Sequence, residues 1–238
     1  MNEHILMGQI ASHIVKGKFQ THLFPKTPEK NVTSRVTELI QISMEKNVPP
    51  PLISSDALDK AMHECLKNFE TGKFLLPDLI IRADYTGKGR EILTKHASAS
   101  ASLTKGKAVL ATIIGEDHTH FLTMVKILLT GLGFKTIDMG SCVSAIDVVR
   151  TVKREKPDLL GISSPTSSVP EVRAIPTKIE IKKIIADLSK GGHRKNITIL
   201  IGGYNPEIET ASDVGADYYC KNMLQTAERL RKLSILSN

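Results

Sequence analysis

A chain of 238 residues, 41% hydrophobic and 24% charged, has material for one large or two ordinary globular domains; with no apolar run of about eighteen residues, a membrane-spanning helix is not expected. The net charge of +7 comes from basic residues spread over both halves, and aromatics are only 4% with no tryptophan, so neither a basic block nor a base-stacking surface is present and nucleic acid is not expected as a partner. The start, Met1-Asn2-Glu3-His4, lacks the basic flank and apolar centre of a secretory signal, and Cys65, Cys142 and Cys220 are too far apart to suggest a disulfide framework or a paired-cysteine metal site. The expectation is a cytoplasmic protein with buried thiols.

From Glu3 to Lys16, Leu6, Ile10 and Ile14 recur at helical spacing. Thr27-Pro28-Glu29 has the N-cap, first-position proline and early acid of a second helix, which carries Val32, Val36, Leu39 and Ile40 and is stopped by Pro49-Pro50-Pro51. A third helix is predicted from about Ser55, burying Leu58, Met62, Cys65, Leu66 and Phe69 and ending at Gly72; a fourth starts at Leu75-Leu76-Pro77-Asp78 and continues through Leu79, Ala83, Tyr85, Ile92 and Leu93. Gly87 and Gly89 inside it cost about 1 kcal/mol each relative to alanine, and mark a kink, a close backbone approach or a frayed second half. These four helices read as a bundle over residues 1–96.

Ala97-Ser98-Ala99-Ser100-Ala101-Ser102 has no large side chain to bury and reads, with the residues up to 106, as a linker. Residues 107–238 then alternate strands with helices. Strands are predicted at Ala108 to Ile114, Lys135 to Met139, Leu159 to Ser163, Ile197 to Ile201 and Asp217 to Tyr219. Helices are predicted at Thr123 to Leu132, Ala145 to Lys156, Thr177 to Ser189, Pro206 to Asp213 and Leu224 to Leu233, with Ser144 and Asp147 as a capping pair for the second. The simplest arrangement is a doubly wound, flavodoxin-like parallel sheet of order 2-1-3-4-5. The turns after strands one, three and four, Gly115 to Phe121, Ser163 to Ser168 and Gly202 to Tyr204, should then converge on one crevice.

The first of these turns, Gly115-Glu116-Asp117-His118-Thr119-His120-Phe121, packs two imidazoles and two carboxylates into the place where such sheets bind ligands. It suits a metal ligand with a carboxylate behind it and equally a solvated polar turn. It is not the hydroxyl- and glycine-rich phosphate loop of a flavodoxin; Gly131-Leu132-Gly133 follows a helix and precedes a strand, the reverse of a dinucleotide fingerprint; and Ser163 stands where a phospho-receiver would have its aspartate.

Gly115-Glu116-Asp117-His118, then Ser163-Ser164, then Gly202-Gly203 resemble the cobalamin-binding signature G-D-x-H-x-x-G, S-x-L, G-G of methionine synthase and the corrinoid methyl-carrier proteins. The flanks Gly106 to Leu110, Gly133 to Gly140 and Val214 to Asp217 are similar too, and Phe69 to Leu79 resembles the helical cap that precedes such domains. The resemblance implies a Rossmann-like B12-binding domain behind a four-helix cap, with cobalamin as cofactor. It implies His118 as the lower ligand to cobalt and Glu116, one methylene longer than the usual aspartate, as the carboxylate on the other ring nitrogen; these two are the groups expected to take part in the chemistry. It further implies that Gly115, Asp117, Thr119, Phe121, Ser163, Ser164, Ser168, Gly202, Gly203 and Tyr204 contribute to cofactor binding, Ser163 lining the tunnel for the displaced nucleotide tail, the glycine pair offering it bare backbone, and Ser168 completing a proton relay.

Three positions depart from the pattern: Phe121 for the last glycine of the first motif, Pro165 for a leucine, and Tyr204 for a small residue. A phenyl ring at 121 should fill part of the tail's tunnel or open the turn, so that the tail takes another path, a different lower base is preferred, or binding is weak or absent. His120, outside the pattern, is expected at the surface.

The function implied is a corrinoid methyl carrier, a component of a methyltransferase system rather than a stand-alone enzyme. It would accept a methyl group on cobalt from a substrate-specific methyltransferase and hand it to a second one acting on tetrahydrofolate or coenzyme M. The cap, with Leu75 and Leu76, would shield the upper face and swing on the Ala-Ser linker. The alternatives are a cobalamin-dependent regulator, which would need a DNA-reading domain and a cap tryptophan this chain lacks, the small subunit of a radical mutase, and a non-cobalamin metal or scaffold protein that kept the fold.

Overall fold

The structure, a computed structural model, describes residues 3–17, 32–97, 103–114, 120–164, 174–203, 205 and 208–236. The amino-terminal part is helical: α1 (Glu3–Lys16), α2 (Val32–Glu45), α3 (Pro50–Ile53), a π-helical turn (Ser54–Asp59) that joins it to α4 (Lys60–Glu70), and α5 (Leu76–His96). The α3–α4 rod begins at Pro50, earlier than the sequence suggests. The prolines that end α2 also open the next helix, because proline at the first helical positions gives up only an N–H that would have no partner there. Four helical rods therefore form the bundle. The Thr27-Pro28-Glu29 cap and the stretch from Ser98 to Ser102 lie outside the described residues.

α5 starts as its sequence requires, with proline in its first turn and Asp78 Oδ2 accepting the Leu75 N–H at 3.1 Å. Arg82, buried beneath the Phe74 ring at 4.2 Å, donates to the carbonyls of Val15 (3.2 Å) and Gly17 (3.3 Å), tying α5 to the carboxyl end of α1.

The second part is a parallel sheet of β1 (Gly106–Thr112), β2 (Phe134–Asp138), β3 (Leu159–Ser163), β4 (Thr198–Gly202) and β5 (Tyr218–Cys220) in the order β2-β1-β3-β4-β5. α6 (His120–Gly131) and α9 (Met223–Leu236) pack with the bundle on one core, and α7 (Ala145–Glu155) and α8 (Ala174–Lys190) cover the other face of the sheet. Residue alternation along the strands divides them: Ala108, Leu110, Leu159 and Leu200 face the bundle side, whereas Val109, Ala111, Leu160, Ile162, Ile199 and Ile201 face α7 and α8. Ser144 caps α7 by accepting the Asp147 N–H at 3.2 Å.

The predicted helix from Pro206 to Asp213 is corrected: among the described residues this connection holds only a 3-10 turn, Ala211–Asp213. The Asp213 carboxylate accepts the N–H groups of Glu209 and Thr210, both at 2.9 Å, satisfying locally the donors a helix would have used. The thiol expectation is corrected in one place. Cys65 and Cys220 are buried, but Cys142 is exposed, at φ 53° in the turn after β2.

The glycines of α5 mark a close approach. A methyl group on Gly131 of α6 would lie 2.8 Å from the Ala83 carbonyl oxygen, and one on Gly87 would lie 3.1 Å from Thr130 Cγ2. Beside this seam Asp59 meets two cations: Arg90, at a very short contact, and Lys105, at 2.8 Å. Arg90 also donates to Gly131 O (3.0 Å) and Ser54 Oγ (2.8 Å). A third tie is the bidentate pair between Arg231 of α9 and Glu70 of α4, at 2.6 and 2.9 Å.

Candidate functional site

Parallel register stacks the strand ends in rows. Thr112, Ser163, Gly202 and Cys220 are neighbours at the carboxyl edge, and Leu110, Gly161 and Leu200 form the row beneath. Both rows face α6 and α9. On most of that face the side chains are bulky and aliphatic, but the middle and end of β3 carry Gly161 and Ser163, and the end of β4 carries Gly202. The result is a strip of small residues beneath α6 that leads to the carboxyl edge where ligands of such sheets bind.

Where they are described, the turns after β3 and β4 meet. Ser164 N–H donates to Gly202 O at 2.8 Å, and Ser164 Oγ donates to the same oxygen at 3.0 Å and to Gly203 O at 3.4 Å. Gly203 adopts φ 95°, and a methyl group on it would meet Ser164 O at 2.7 Å, so only glycine allows this clasp. The Ser164 hydroxyl is thus engaged in holding the β3 and β4 turns together, while Ser163 stands in the row of the low strip. From the other side Phe121, in the first turn of α6, lays its ring on Gly202: a methyl group there would lie 2.7 Å from Phe121 Cε1. His120 is exposed, as expected. Gly115, Glu116, Asp117, His118, Thr119, Ser168 and Tyr204 lie outside the described residues.

Two residues on this face of the sheet, Thr112 beside Ser163 and Gly161 beneath it, escaped the reading of the sequence. Thr112 is fully buried, and its hydroxyl has no hydrogen-bond partner among the described residues. Gly161 leaves the space into which Leu110 leans, a methyl group there lying 2.6 Å from Leu110 Cδ2. The available signal was the two-residue spacing of Gly161 with Ser163, a pair of small residues on one face of a buried strand.

The family described as B12 binding domain matches residues 106–227. The chain belongs to the B12-binding domain family. Its helical part is shared with corrinoid proteins as well. Dimethylamine corrinoid protein 1 of Methanosarcina acetivorans is 30% identical over 186 residues, covering 77% of this chain and 83% of that protein; that alignment is longer than the B12-binding match and so extends into the bundle. Dimethylamine corrinoid protein 3 of the same organism is 26% identical, covering 78% and 84%. In fold, the chain is similar to the methanol:cobalamin methyltransferase complex of Methanosarcina barkeri, with TM-score 0.74 and 23% identity over 98% of this chain and 79% of that one.

Cobalamin is accordingly the cofactor of this B12-binding domain, and the described residues can be tested against it. The sheet wall fits a slender arm: Gly161, Ser163 and Gly202 supply low relief, and Thr112, beside Ser163 in the edge row, has a buried hydroxyl not engaged among the described residues. The helix wall does not fit. With Phe121 on Gly202, and Leu122 and Val125 behind it, the cavity left between α6 and the sheet is about 10 Å³, roughly the room one water needs. This filling bears on how the nucleotide tail is held and leaves the family assignment untouched.

Proposed function

We propose that this chain carries a methyl group on its corrinoid between two methyltransferases, one specific for a methylated substrate and a second acting on tetrahydrofolate or coenzyme M. The observation behind this reading is the match to a dimethylamine corrinoid protein across both the helical part and the B12-binding domain. When bound, the corrinoid's cobalt supplies the centre that takes up and gives back the methyl group.

The chain's own residues then have three tasks. His118, backed by the Glu116 carboxylate, is proposed to hold the metal from below, with Gly115, Asp117, Thr119, Ser168 and Tyr204 beside it; a carboxylate on the far nitrogen makes imidazole a better donor and couples ligation to proton uptake. The clasp of Ser164 on Gly202 and Gly203 ties the turns after β3 and β4 together. Residues 1–96 serve as a cap, 107–238 as the corrinoid domain, and 97–106 as the hinge between them. Leu75, 71% exposed at the start of α5, and Ile114, 43% exposed at the end of β1, are apolar groups left uncovered among the described residues, suited to lie against a large apolar cofactor face. For the cap to swing aside, the α5–α6 seam and the Arg231–Glu70 pair must open, so docking of a partner enzyme has to supply that free energy. No helix among the described residues is long and apolar enough to cross a membrane. A cytoplasmic setting belongs to the same proposal, supported by three cysteines that form no disulfide.

The test is the visible spectrum of the protein reconstituted with hydroxocobalamin, beside His118→Ala. The wild type is expected to hold the cofactor with its own base displaced and histidine on the metal, and the variant to lose that spectrum or the cofactor; an unchanged spectrum in the variant would refute the role of His118. A second measurement addresses carrying. Chemically reduced holoprotein should take up labelled methyl from methyl iodide and release it to coenzyme M or tetrahydrofolate only when a methyltransferase is added.

A further inference from the structure

We propose that Phe121 sets corrinoid specificity by closing the channel beneath α6, so that this chain discriminates against corrinoids whose nucleotide tail must be buried there. The inference rests on the corrinoid reading above and concerns which corrinoid is held, and how.

Both walls of the channel contribute. On the sheet side, three small residues on the central strands, Gly161, Ser163 and Gly202, keep relief low in the middle of an otherwise aliphatic face. Such a strip is unusual in a buried strand, since burial favours side chains that fill the space against the helix. On the helix side, Phe121 fills it. Its ring rests on the bare backbone of Gly202, where a methyl group would clash at 2.7 Å, and among the described residues the cavity left there is about 10 Å³.

Cobalamin's tail ends in a ribose phosphate and a bicyclic benzimidazole, a volume far beyond that space. Cobinamide has the same corrin ring without the nucleotide. To bury the tail, the phenyl ring must leave Gly202 and lose its packing on the core; to bind cobinamide, it can stay. The half-buried ring, at the first turn of α6, thus imposes a cost on one ligand and none on the other.

The experiment is a titration of wild type, Phe121→Ala and Phe121→Leu with hydroxocobalamin and with aquacobinamide, read as dissociation constants from the visible spectrum, with far-ultraviolet circular dichroism recorded on each protein. The affinity ratio of cobalamin to cobinamide is expected to rise at least about tenfold in Phe121→Ala, and to take an intermediate value in Phe121→Leu, whose smaller side chain fills less of the channel. A ratio equal to that of wild type in both folded variants overturns the inference while leaving the corrinoid reading intact. If none of the three proteins binds either corrinoid, the reading beneath falls and the inference with it.

Discussion

Removing the Asp59 carboxylate tests how the helical bundle is fastened to the sheet. Asp59 belongs to the bundle and is 13% exposed; it faces Arg90 of α5 and Lys105, just before β1, each 8% exposed. Asp59→Ala leaves two largely desolvated cations without their counter-ion, and breaking a buried pair in this way costs about 3–5 kcal/mol. Arg90 keeps its bonds to Gly131 O and Ser54 Oγ, so part of its demand is still met, and the lower end, about 3 kcal/mol, is expected. At roughly 2–4 °C per kcal/mol for a chain of this size, Tm should fall by about 6–12 °C. The internal control is Asp84→Asn, which removes an exposed pair with Lys88 on the same helix and should cost no more than about 0.5 kcal/mol. Urea denaturation followed by circular dichroism measures both. An Asp59→Ala penalty below about 1 kcal/mol, indistinguishable from that of a surface pair, would show that water reaches the cluster and that the fastening lies elsewhere.

The glycine seam offers a contrast of sign. Gly131→Ala should destabilise by about 1–3 kcal/mol, because its methyl meets backbone that cannot yield, whereas Gly87→Ala meets only the tip of Thr130, and the helix-propensity gain of about 1 kcal/mol should leave it neutral or stabilised in the same denaturation assay. Burial pushes the Cys65 thiol up to about 12 and raises that of Cys220, so in the native protein one thiol, Cys142, should react rapidly with Ellman's reagent at pH 8 and two only on unfolding; three fast thiols would contradict the buried positions. The same shift has a stability consequence. Cys65 prefers the protonated form when folded, so its contribution is fully present below its ordinary value of 9.0 and is lost as pH rises from there toward 12. On the acid side, the N–H groups of Thr210 and Glu209 hold the Asp213 carboxyl below its ordinary value of 3.8. Its contribution is present above that value and lost as pH falls through the lower, folded one; Asp213→Asn should flatten the acid limb of a Tm-versus-pH curve there, and an unchanged limb would count against it.

Order and identity of the secondary structure were legible in the sequence wherever periodicity is strong. The alternation that separates Leu110 from Val109 and the helical spacing of Leu6, Ile10 and Ile14 follow from which side of an element water is excluded from, and that is a local property. Alternating strands and helices allow few parallel arrangements, so the order 2-1-3-4-5 also came from the sequence. Legibility failed where a residue's role depends on a neighbour distant in the chain. For Gly87 and Gly89 the sequence left a kink, a close approach and a frayed end open, and only Thr130 and Gly131 against the first and Ile40 and Leu58 against the second decided for the close approach. The segment from Pro206 to Asp213 read as a helix, whereas the Asp213 carboxylate satisfies the Glu209 and Thr210 N–H groups locally.

The sequence by itself determined that a helical bundle precedes a five-stranded parallel sheet, since the spacing of apolar residues along the chain is enough to specify both, and its resemblance to the corrinoid signature pointed to the turns. Only the tertiary structure decided that Phe121 lies on Gly202, eighty-one positions away, and that Gly161 lines the same channel. Whether a glycine is open to a ligand or covered by a ring depends on strand register and helix placement, and neither is encoded in any one stretch of chain.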